Sequence, residues 1–316
     1  MAIHFNGSSM TSSMTGGARL RVLLFGLLSV FIALPAAAKL NVFACEPEWA
    51  SLAEVIGGDH VSVFSATTAF QDPHVIQARP SLIAQMRRAN VVICTGADLE
   101  IGWLPVLLRQ AANSKVGVGT MGYFEASQFV RLRDASGSTD RADGDVHPMG
   151  NPHIQLDPRN ILLVATALVE RMQLLDGDNS QSYQANYESF AANWTSAITR
   201  WETAASSLKE MEIIVQHASW TYLEAWLGLI ELAQMESKPG LPPTASHLAR
   251  LLKIIDEREV KALIRSAYQS ARASEWLVRR SDVPALVLPH TVGATPQAID
   301  LFGLFDDIVR RLKEVN

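Results

Sequence analysis

The sequence predicts an α/β protein of two lobes, each with a parallel sheet and flanking helices, joined by one long backbone helix. Three observations favour this fold class. Strand-like and helix-like segments alternate in both halves of the chain. A long middle stretch contains neither Gly nor Pro. Finally, 48% of the 316 residues are hydrophobic, which is enough to form a sizeable core.

The first half alternates strands with helices, as helical crossovers in a parallel sheet require. We predict strands at Leu40–Cys45, Val61–Ser65 and Val91–Thr95. We predict helices at Pro47–Ile56, Ser81–Arg88, Leu104–Ala112 and 159–175. A Gly/Asp/Ser-rich segment at 131–152 is typical of a loop.

The middle stretch, Ser182–Met211, carries apolar and aromatic residues at steps of three and four, which predicts a helix of about 30 residues. The second half then repeats the alternation, with strands at Glu212–Gln216, Ala262–Arg265 and Ala285–Leu288, and helices at Trp220–Leu227, Ser246–Glu257 and from Pro296 onward. The predicted domains are therefore an N-terminal lobe at 39–178, a connecting long helix at 179–211 and a C-terminal lobe at 212–316.

The N-terminus is typical of a secretory signal peptide spanning residues 1–38. Arg19 and Arg21 precede the apolar run Val22–Leu34, and three alanines precede Lys39. The run is shorter than the roughly 20 residues that a membrane-spanning helix needs. Because no later segment is longer, we expect a periplasmic protein that is not stably inserted in a membrane.

The charge balance bears on the partners of the chain. The formal net charge is −5, and removal of Arg19 and Arg21 with the leader makes the remaining chain more acidic. An acidic body disfavours nucleic acid as a partner and is compatible with attraction of a cation. We expect a monomer.

The two cysteines limit the chemistry of any metal site. Zinc sites built on thiolates need more than Cys45 and Cys94, so a metal would have to be bound by histidine and carboxylate. In an oxidising compartment the two cysteines, on neighbouring strands, form a disulfide or remain as two free buried thiols.

Four histidines share one kind of position. His74, His153, His217 and His290 each lie at a strand end or in a strand-like loop that leads to a helix. An open parallel sheet presents ligand-binding groups there. Imidazole suits zinc, copper, iron or nickel, and zinc accepts a tetrahedral set of histidines.

Three ordered blocks of sequence resemble the zinc/manganese solute-binding proteins of bacterial metal ABC importers, of the zinc-uptake type. They are Asp72–Glu100 (DPHVIQARPSLIAQMRRANVVICTGADLE), Asn151–Asn160 (NPHIQLDPRN) and Gln216–Leu229 (QHASWTYLEAWLGL). The resemblance implies two lobes joined by a long helix. It also implies Zn2+ as bound cargo, with Mn2+ as the alternative, and delivery to an ABC transporter permease, with a periplasmic metal-delivery protein as a further possible partner. By position, His74, His153 and His217 carry over as metal ligands.

The chain departs from the family pattern near its metal ligands. Asn151 stands where the pattern has Asp, and Gln155 stands where it has Trp. His290 occupies the position of the usual fourth ligand, an Asp, so either His290 completes the site or a water does. Manganese-binding relatives tend to have a carboxylate at the third ligand, so His217 favours zinc.

Two further residues are candidate accessories. His147 lies in the loop 131–150 with Asp134, Asp140, Asp143 and Asp145, and it is a candidate recruiting ligand in an otherwise acidic, solvated segment. Glu236 precedes a Pro/Gly turn, where it is either structural or a carboxylate that supports the metal site.

Two other classes of function remain as alternatives, a metal-dependent surface adhesin and a metallohydrolase. No His-Glu-x-x-His pair and no Gly-x-Ser-x-Gly motif occurs in the chain, so we predict that the protein is not an enzyme.

Overall fold

The computed structural model of the chain describes residues 39–135, 137 and 147–316. The predicted signal peptide at 1–38 and the loop residues Asp140, Asp143 and Asp145 lie outside the described residues. Within the described ranges, no helix is both long enough and apolar enough to cross a membrane.

The N-terminal sheet has four parallel strands in the order β2-β1-β3-β4. The strands are β1 (Leu40–Ala44), β2 (Val61–Ser65), β3 (Val91–Cys94) and β4 (Tyr123–Glu125). The helices beside them are α1 (Pro47–Gly57), α2 (Pro80–Arg88) and α3 (Leu104–Ala111). Each of these helices begins with a Pro in its first turn, where a missing N–H costs no hydrogen bond.

The C-terminal sheet has the same topology, with strand order β6-β5-β7-β8. Its strands are β5 (Glu212–Val215), β6 (Ile230–Gln234), β7 (Ala262–Arg265) and β8 (Ala285–Val287). Its helices are α6 (Thr221–Leu227), α7 (Ala245–Glu257), α8 (Arg272–Val278) and α9 (Leu301–Lys313). The predicted fold class, two lobes with parallel sheets and flanking helices, is confirmed.

Two helices lie between the sheets in sequence, α4 (Pro158–Leu175) and α5 (Ser180–Ala204). The predicted long helix exists, but it is 25 residues long and ends at Ala204 instead of Met211. A short 3-10 turn follows at Ser206–Leu208. Because Leu208 and Met211 are themselves buried in the core, the apolar spacing continues beyond the end of the helix, and this made the predicted helix too long.

The remaining differences concern short elements. The strands β4 and β6 and the helix α8 were not predicted, and the C-terminal helix begins at Leu301 instead of Pro296. β4 has only three residues, too few for a periodic pattern to stand out. β6 and α8 have five and seven residues, as do β1 and α6, which were predicted, so length does not explain why they were missed. The domain boundaries at 178 and 211 stay a prediction.

Aromatic packing fixes α5 against the C-terminal helix. The rings of Trp194 and Trp201 pack against Phe302 and Phe305, with Trp194–Phe302 centroids 4.8 Å apart and Trp201–Phe305 centroids 5.1 Å apart. The Trp194 indole also donates a 2.8 Å hydrogen bond to the Pro158 carbonyl at the start of α4. The backbone helix is therefore anchored to elements from both halves of the chain.

Candidate metal centre

The structure brings three of the predicted ligands together. His74 follows β2, His217 follows β5, and His153 immediately precedes a 3-10 turn at Ile154–Leu156 that leads to α4. The ring centroids form a nearly equilateral triangle, with separations of 5.6 Å (His74–His153), 5.8 Å (His74–His217) and 5.8 Å (His153–His217). One ligand atom from each ring lies within 4.8 Å of the other two, so the triad is compact enough to hold one ion.

The orientation of His74 is set by Asp72. His74 Nδ1 lies 2.8 Å from Asp72 Oδ1, and the His74 backbone N–H donates to the same oxygen at 3.0 Å. Burial opposes ionisation of Asp72, but the hydrogen bonds and the charge of His74 outweigh it and lower the pKa of the carboxyl. Because a carboxylate can only accept, His74 Nδ1 carries a proton, and Nε2 presents a lone pair when the ring is neutral.

His217 is held in the same way by Glu236. Its Nδ1 lies 2.9 Å from Glu236 Oε2, which also accepts a 2.8 Å hydrogen bond from the Gly240 backbone N–H. The Gln216 amide donates to the other carboxylate oxygen at 3.2 Å. Glu236 therefore fixes the tautomer and the direction of the His217 ring, which leaves Nε2 to bind a metal.

His147 contacts His74 but is not one of the three histidines whose ligand atoms all lie within 4.8 Å of one another. Its Nε2 lies 3.2 Å from His74 Nε2, and its Nδ1 lies 3.2 Å from the carbonyl oxygen of Ala97. That carbonyl belongs to a turn after β3 in which Gly96, Ala97 and Asp98 all have left-handed φ angles of 78°, 50° and 65°. Such backbone is costly for Ala and Asp, and it places an acceptor behind the His147 ring.

The short Nε2···Nε2 distance is informative because both Nδ1 atoms face acceptors. When both rings are neutral, each Nε2 carries a lone pair, and a 3.2 Å contact then requires a metal ion shared by the nitrogens; a proton on one ring instead makes the contact a hydrogen bond. Two nitrogens on a tetrahedral zinc, each about 2.0–2.1 Å from the ion, are separated by about 3.3 Å. The observed distance matches that separation.

The buried rings of the cluster are neutral. His153 is only 3% exposed, and burial, reinforced by the neighbouring histidines, lowers its pKa well below the usual value. Burial likewise lowers the pKa of His147 to about 4, with His74 and His217 adding to the effect. Metal binding requires unprotonated imidazole, so these two rings are in the binding form at neutral pH.

The fourth predicted ligand, His290, is not in this group. It is buried, at 6% exposed, and its ring packs on Tyr268 with centroids 4.9 Å apart. Burial lowers the pKa of His290 to about 4. His290 lines a small cavity together with His153 and Gln155.

Hydrogen bonds between distant segments hold the triad in place. The Asn151 amide donates to the Ala218 carbonyl at 2.6 Å, and the Tyr222 hydroxyl donates to the Asn151 carbonyl at 2.7 Å. The Arg133 backbone N–H in turn donates to the Tyr222 oxygen at 3.1 Å. Sequence reasoning treated Asn151 only as a departure from the family pattern and did not anticipate that it joins the His153 and His217 segments.

The predicted cysteine pair lies at the ends of two neighbouring strands, β1 and β3. The two sulphurs of Cys45 and Cys94 are bonded, with their Cα atoms 4.8 Å apart, and both residues are fully buried. Thr95, next to this pair, donates backbone and hydroxyl hydrogen bonds to Glu46 at 3.3 and 3.2 Å, and a backbone bond to Glu100 at 2.8 Å. These sulphurs are therefore not available as metal ligands.

Two buried carboxyl groups adjoin the disulfide, and sequence reasoning missed their pairing. Burial raises the pKa of Glu100 to about 7, and burial together with the charge of Glu100 raises the pKa of Glu46 well above its usual value. Two adjacent carboxyls in a buried site do not both ionise at neutral pH, so the pair retains a proton.

Comparison with known proteins places the chain in a family. The family described as ZnuA, zinc-uptake complex component A, periplasmic, matches residues 42–315. The chain therefore belongs to this family of substrate-binding proteins of metal ABC transporters, and the predicted resemblance is confirmed.

Its relatives are named for different metals. The iron ABC transporter substrate-binding lipoprotein MtsA of Streptococcus pyogenes serotype M1 is 22% identical over 285 residues, which cover 85% of this chain and 88% of the relative. The zinc-binding lipoprotein AdcA of Streptococcus pneumoniae serotype 4 is 20% identical over 79% of this chain and 50% of the relative. The manganese ABC transporter substrate-binding lipoprotein ScaA of Streptococcus gordonii is 26% identical over 47% of this chain and 46% of the relative.

Solved structures share the fold. A crystal structure of ZnuA superposes with a TM-score of 0.73 at 22% identity, covering 88% of this chain and 99% of the other. The Zn(II)-bound AdcA of Streptococcus pneumoniae gives a TM-score of 0.71 at 18% identity, covering 88% of this chain and 58% of the other. The predicted two-lobe architecture with a long connecting helix is thus that of known metal-binding proteins.

Proposed function

We propose that this protein captures a divalent transition metal, with zinc as the preferred ion, and delivers it to the permease of an ABC importer. The ligands in this proposal are Nε2 of His74 and His217, a ring nitrogen of His153, and Nε2 of His147. His147 takes the fourth position that the sequence had offered to His290.

One observation carries the proposal, namely the convergence of His74, His153 and His217, whose ligand atoms lie within 4.8 Å of one another. His147 adds a fourth imidazole, since its Nε2 lies 3.2 Å from His74 Nε2. A metal ion shared by these nitrogens, or a proton on one of the two rings, accounts for that contact.

The donor set favours zinc over manganese. All four proposed ligands are imidazoles, whereas manganese prefers carboxylate, carbonyl and water oxygens. The two carboxylates beside the site, Asp72 and Glu236, are engaged by the Nδ1 atoms of His74 and His217. Iron also accepts imidazole, and one relative is named for iron, so iron is the competitor to include in a test.

The same geometry argues against the other classes of function. A metallohydrolase needs a water on the metal and a carboxylate or histidine poised as a general base. Here Asp72 and Glu236 each contact a proposed ligand, and in this proposal His147 would take the coordination position that a catalytic water needs. An adhesin would need a separate protein-binding face, and no feature of the described residues points to one. We infer a binding protein without catalytic activity.

The setting we propose is the periplasm, reached through the predicted signal peptide. The family description names this compartment, and the streptococcal relatives are named as lipoproteins. Cys45 is bonded to Cys94 and fully buried, so its sulphur does not serve as a lipid attachment point. We expect a monomer that receives free metal or metal from a periplasmic delivery protein.

The direct test is a competition titration of the metal-stripped protein, residues 39–316, with Zn2+, Mn2+ and Fe2+ against a chromophoric chelator. We expect one tightly bound Zn2+ per chain, displaced by neither Mn2+ nor Fe2+ at equal concentration. His147→Ala should weaken zinc binding by about tenfold to a hundredfold, because a water can replace the lost ligand.

The matched control is His247→Ala. This histidine lies on α7, where its Nε2 contacts the Gln234 carbonyl at 2.8 Å, and it is not among the proposed ligands. Its loss should leave the zinc affinity unchanged. A wild-type protein that binds zinc no more tightly than the His74→Ala variant contradicts the proposed function.

A further inference from the structure

A small cavity borders His153. Its volume is about 10 Å³, close to the space that a single water molecule requires. Its lining includes Glu46 and Glu48 near the start of α1, Gln155 in the turn after His153, and His290 with Thr291 after β8, together with residues of the 67–73 segment and Leu99. We call Glu46, Gln155 and His290 the junction.

The junction residues present polar atoms that no other described group satisfies. Glu46 Oε1, Gln155 Oε1 and His290 Nδ1 are each buried and lack a hydrogen-bond partner among the described residues. All three residues are at least nine-tenths buried, with exposed fractions of 3%, 4% and 6%. Buried polar groups in folded proteins are nearly always paired, often through an ordered water.

The chemistry of the three atoms matches one water. The Gln155 amide nitrogen donates to the His290 carbonyl at 3.2 Å, which identifies the remaining amide atom, Oε1, as an acceptor. A water can donate one proton to Gln155 Oε1 and the other to Glu46 Oε1, and can accept the proton of His290 Nδ1. These bonds satisfy all three atoms at once.

We propose that one ordered water fills this cavity and that Gln155 and His290 are positioning residues that, through it, fix the metal ligand His153. Gln155 lies in the 3-10 turn that begins directly after His153, so holding Gln155 holds that turn and the ring before it. The Thr291 hydroxyl donates to Glu48, which ties the same strand end to α1. This inference rests on the proposed function for the role of His153.

Two departures from the family pattern meet in this cavity. Gln155 stands where the pattern has Trp and His290 where it has Asp, and the two residues contact each other directly. Together the two differences replace a large aromatic side chain and a carboxylate by two polar side chains, which in this proposal a water bridges. This accounts for a histidine at the position of the usual fourth ligand without making it a ligand.

The test uses Co2+ as a spectroscopic probe of the metal-stripped protein, with the variants Gln155→Leu, His290→Ala and their double mutant. We expect each single variant to weaken Co2+ binding by about tenfold, as is typical when residues behind a ligand are removed. The double variant should lose little more than either single one, because both remove the same water. The visible ligand-field spectrum and the stoichiometry should stay those of the wild type. His60→Ala, a variant in the turn before β2, is the control.

Two results would overturn the proposal. A changed Co2+ spectrum in His290→Ala would make His290 a ligand, and additive losses in the double variant would mean that no water is shared. The metal-free protein separates this failure from failure of the proposed function. Coupling between Gln155 and His290 in the free energy of unfolding is expected with or without metal. A protein that shows this coupling but binds no Co2+ refutes the metal-binding role, whereas a lack of coupling refutes the shared water.

Discussion

Two sets of polar side chains adjoin His153, and they differ in how their members are supported. The histidine group consists of His74, His147, His153 and His217. Three of its members have Nδ1 against an acceptor, namely Asp72, Ala97 O or Glu236. Within the described part of the chain, all three junction residues have an unpaired buried atom, whereas in the histidine group only Nε2 of His153 does.

The comparison shows that burial and residue type do not by themselves make a metal ligand. His290 is as buried as His217, at 6% exposed for both, and it also follows a strand of the C-terminal sheet. Its Nδ1 has no hydrogen-bond partner among the described residues, whereas Nδ1 of His74, His147 and His217 lies against an acceptor. An acceptor behind the ring therefore distinguishes these three histidines from His290.

Removal of a member of the histidine group should have the largest effect on zinc affinity. A small effect would contradict the difference between the histidine group and the junction. His217→Ala is expected to weaken zinc binding roughly 100- to 1000-fold. This estimate divides a zinc binding free energy of about 10–16 kcal/mol equally among four ligands. The measurement is a chelator competition titration. An equally large loss in His290→Ala would show that the two sides of His153 do not differ.

The acceptor behind a ligand should have the next largest effect. Glu236→Gln keeps the size of the side chain but removes the charge that stabilises Nδ1–H of His217, so we expect about a tenfold loss of zinc affinity. The matched control is Glu231→Gln in the same cleft, because the Glu231 carboxylate binds the Gln234 amide at 3.0 Å. Equal losses in the two variants would attribute the effect to the general acidity of the cleft.

The last prediction concerns the free energy of unfolding of the metal-free protein. Its dependence on pH has opposite signs for the buried carboxyl groups and for the buried imidazole groups. Burial raises the pKa of Glu48 to about 7, with the Thr291 hydrogen bond opposing it. A raised folded-state pKa contributes stability that is present below the unfolded value of 4.5 and is lost as the pH rises through about 7. The lowered pKa values of His147 and His290, both about 4, act in the opposite direction, because stability falls as the pH drops from 6.5 toward 4.

Glu48→Gln should therefore remove the loss of stability between about pH 5 and pH 7 and leave the acid side of the profile unchanged. The upper limit of the change is about 3 kcal/mol, from the relation of 1.36 kcal/mol per pKa unit. Urea unfolding of the metal-free variant and wild type at several pH values measures it. Parallel profiles for the two proteins would show that Glu48 does not titrate in this range.

Much of the fold could be predicted from the sequence because its signals are local. Alternating apolar segments and turns at Gly57-Gly58 and Asp176-Gly177 gave strand and helix positions that agree with the structure to within a few residues for most elements. The long helix was predicted at its start but not at its end, since Leu208 and Met211 extend its apolar spacing while packing in the core.

The metal centre could be predicted only in part. The order of residues along the chain placed His74, His153 and His217 at strand ends, and parallel strands bring such ends to one edge of a sheet. The same rule selected His290 and gave His147 only an accessory role, because strand position carries no information about ring direction.

The sequence by itself therefore determined the fold class and the three histidines His74, His153 and His217 that come together. It left open whether the two neighbouring cysteines are bonded. Only the tertiary structure decided which nitrogen of each ring faces its neighbours. That direction depends on Asp72, Ala97 and Glu236, three acceptors supplied by separate loops. A hydrogen bond of about 3 Å between distant segments is a property of the folded chain, and local sequence patterns do not contain it.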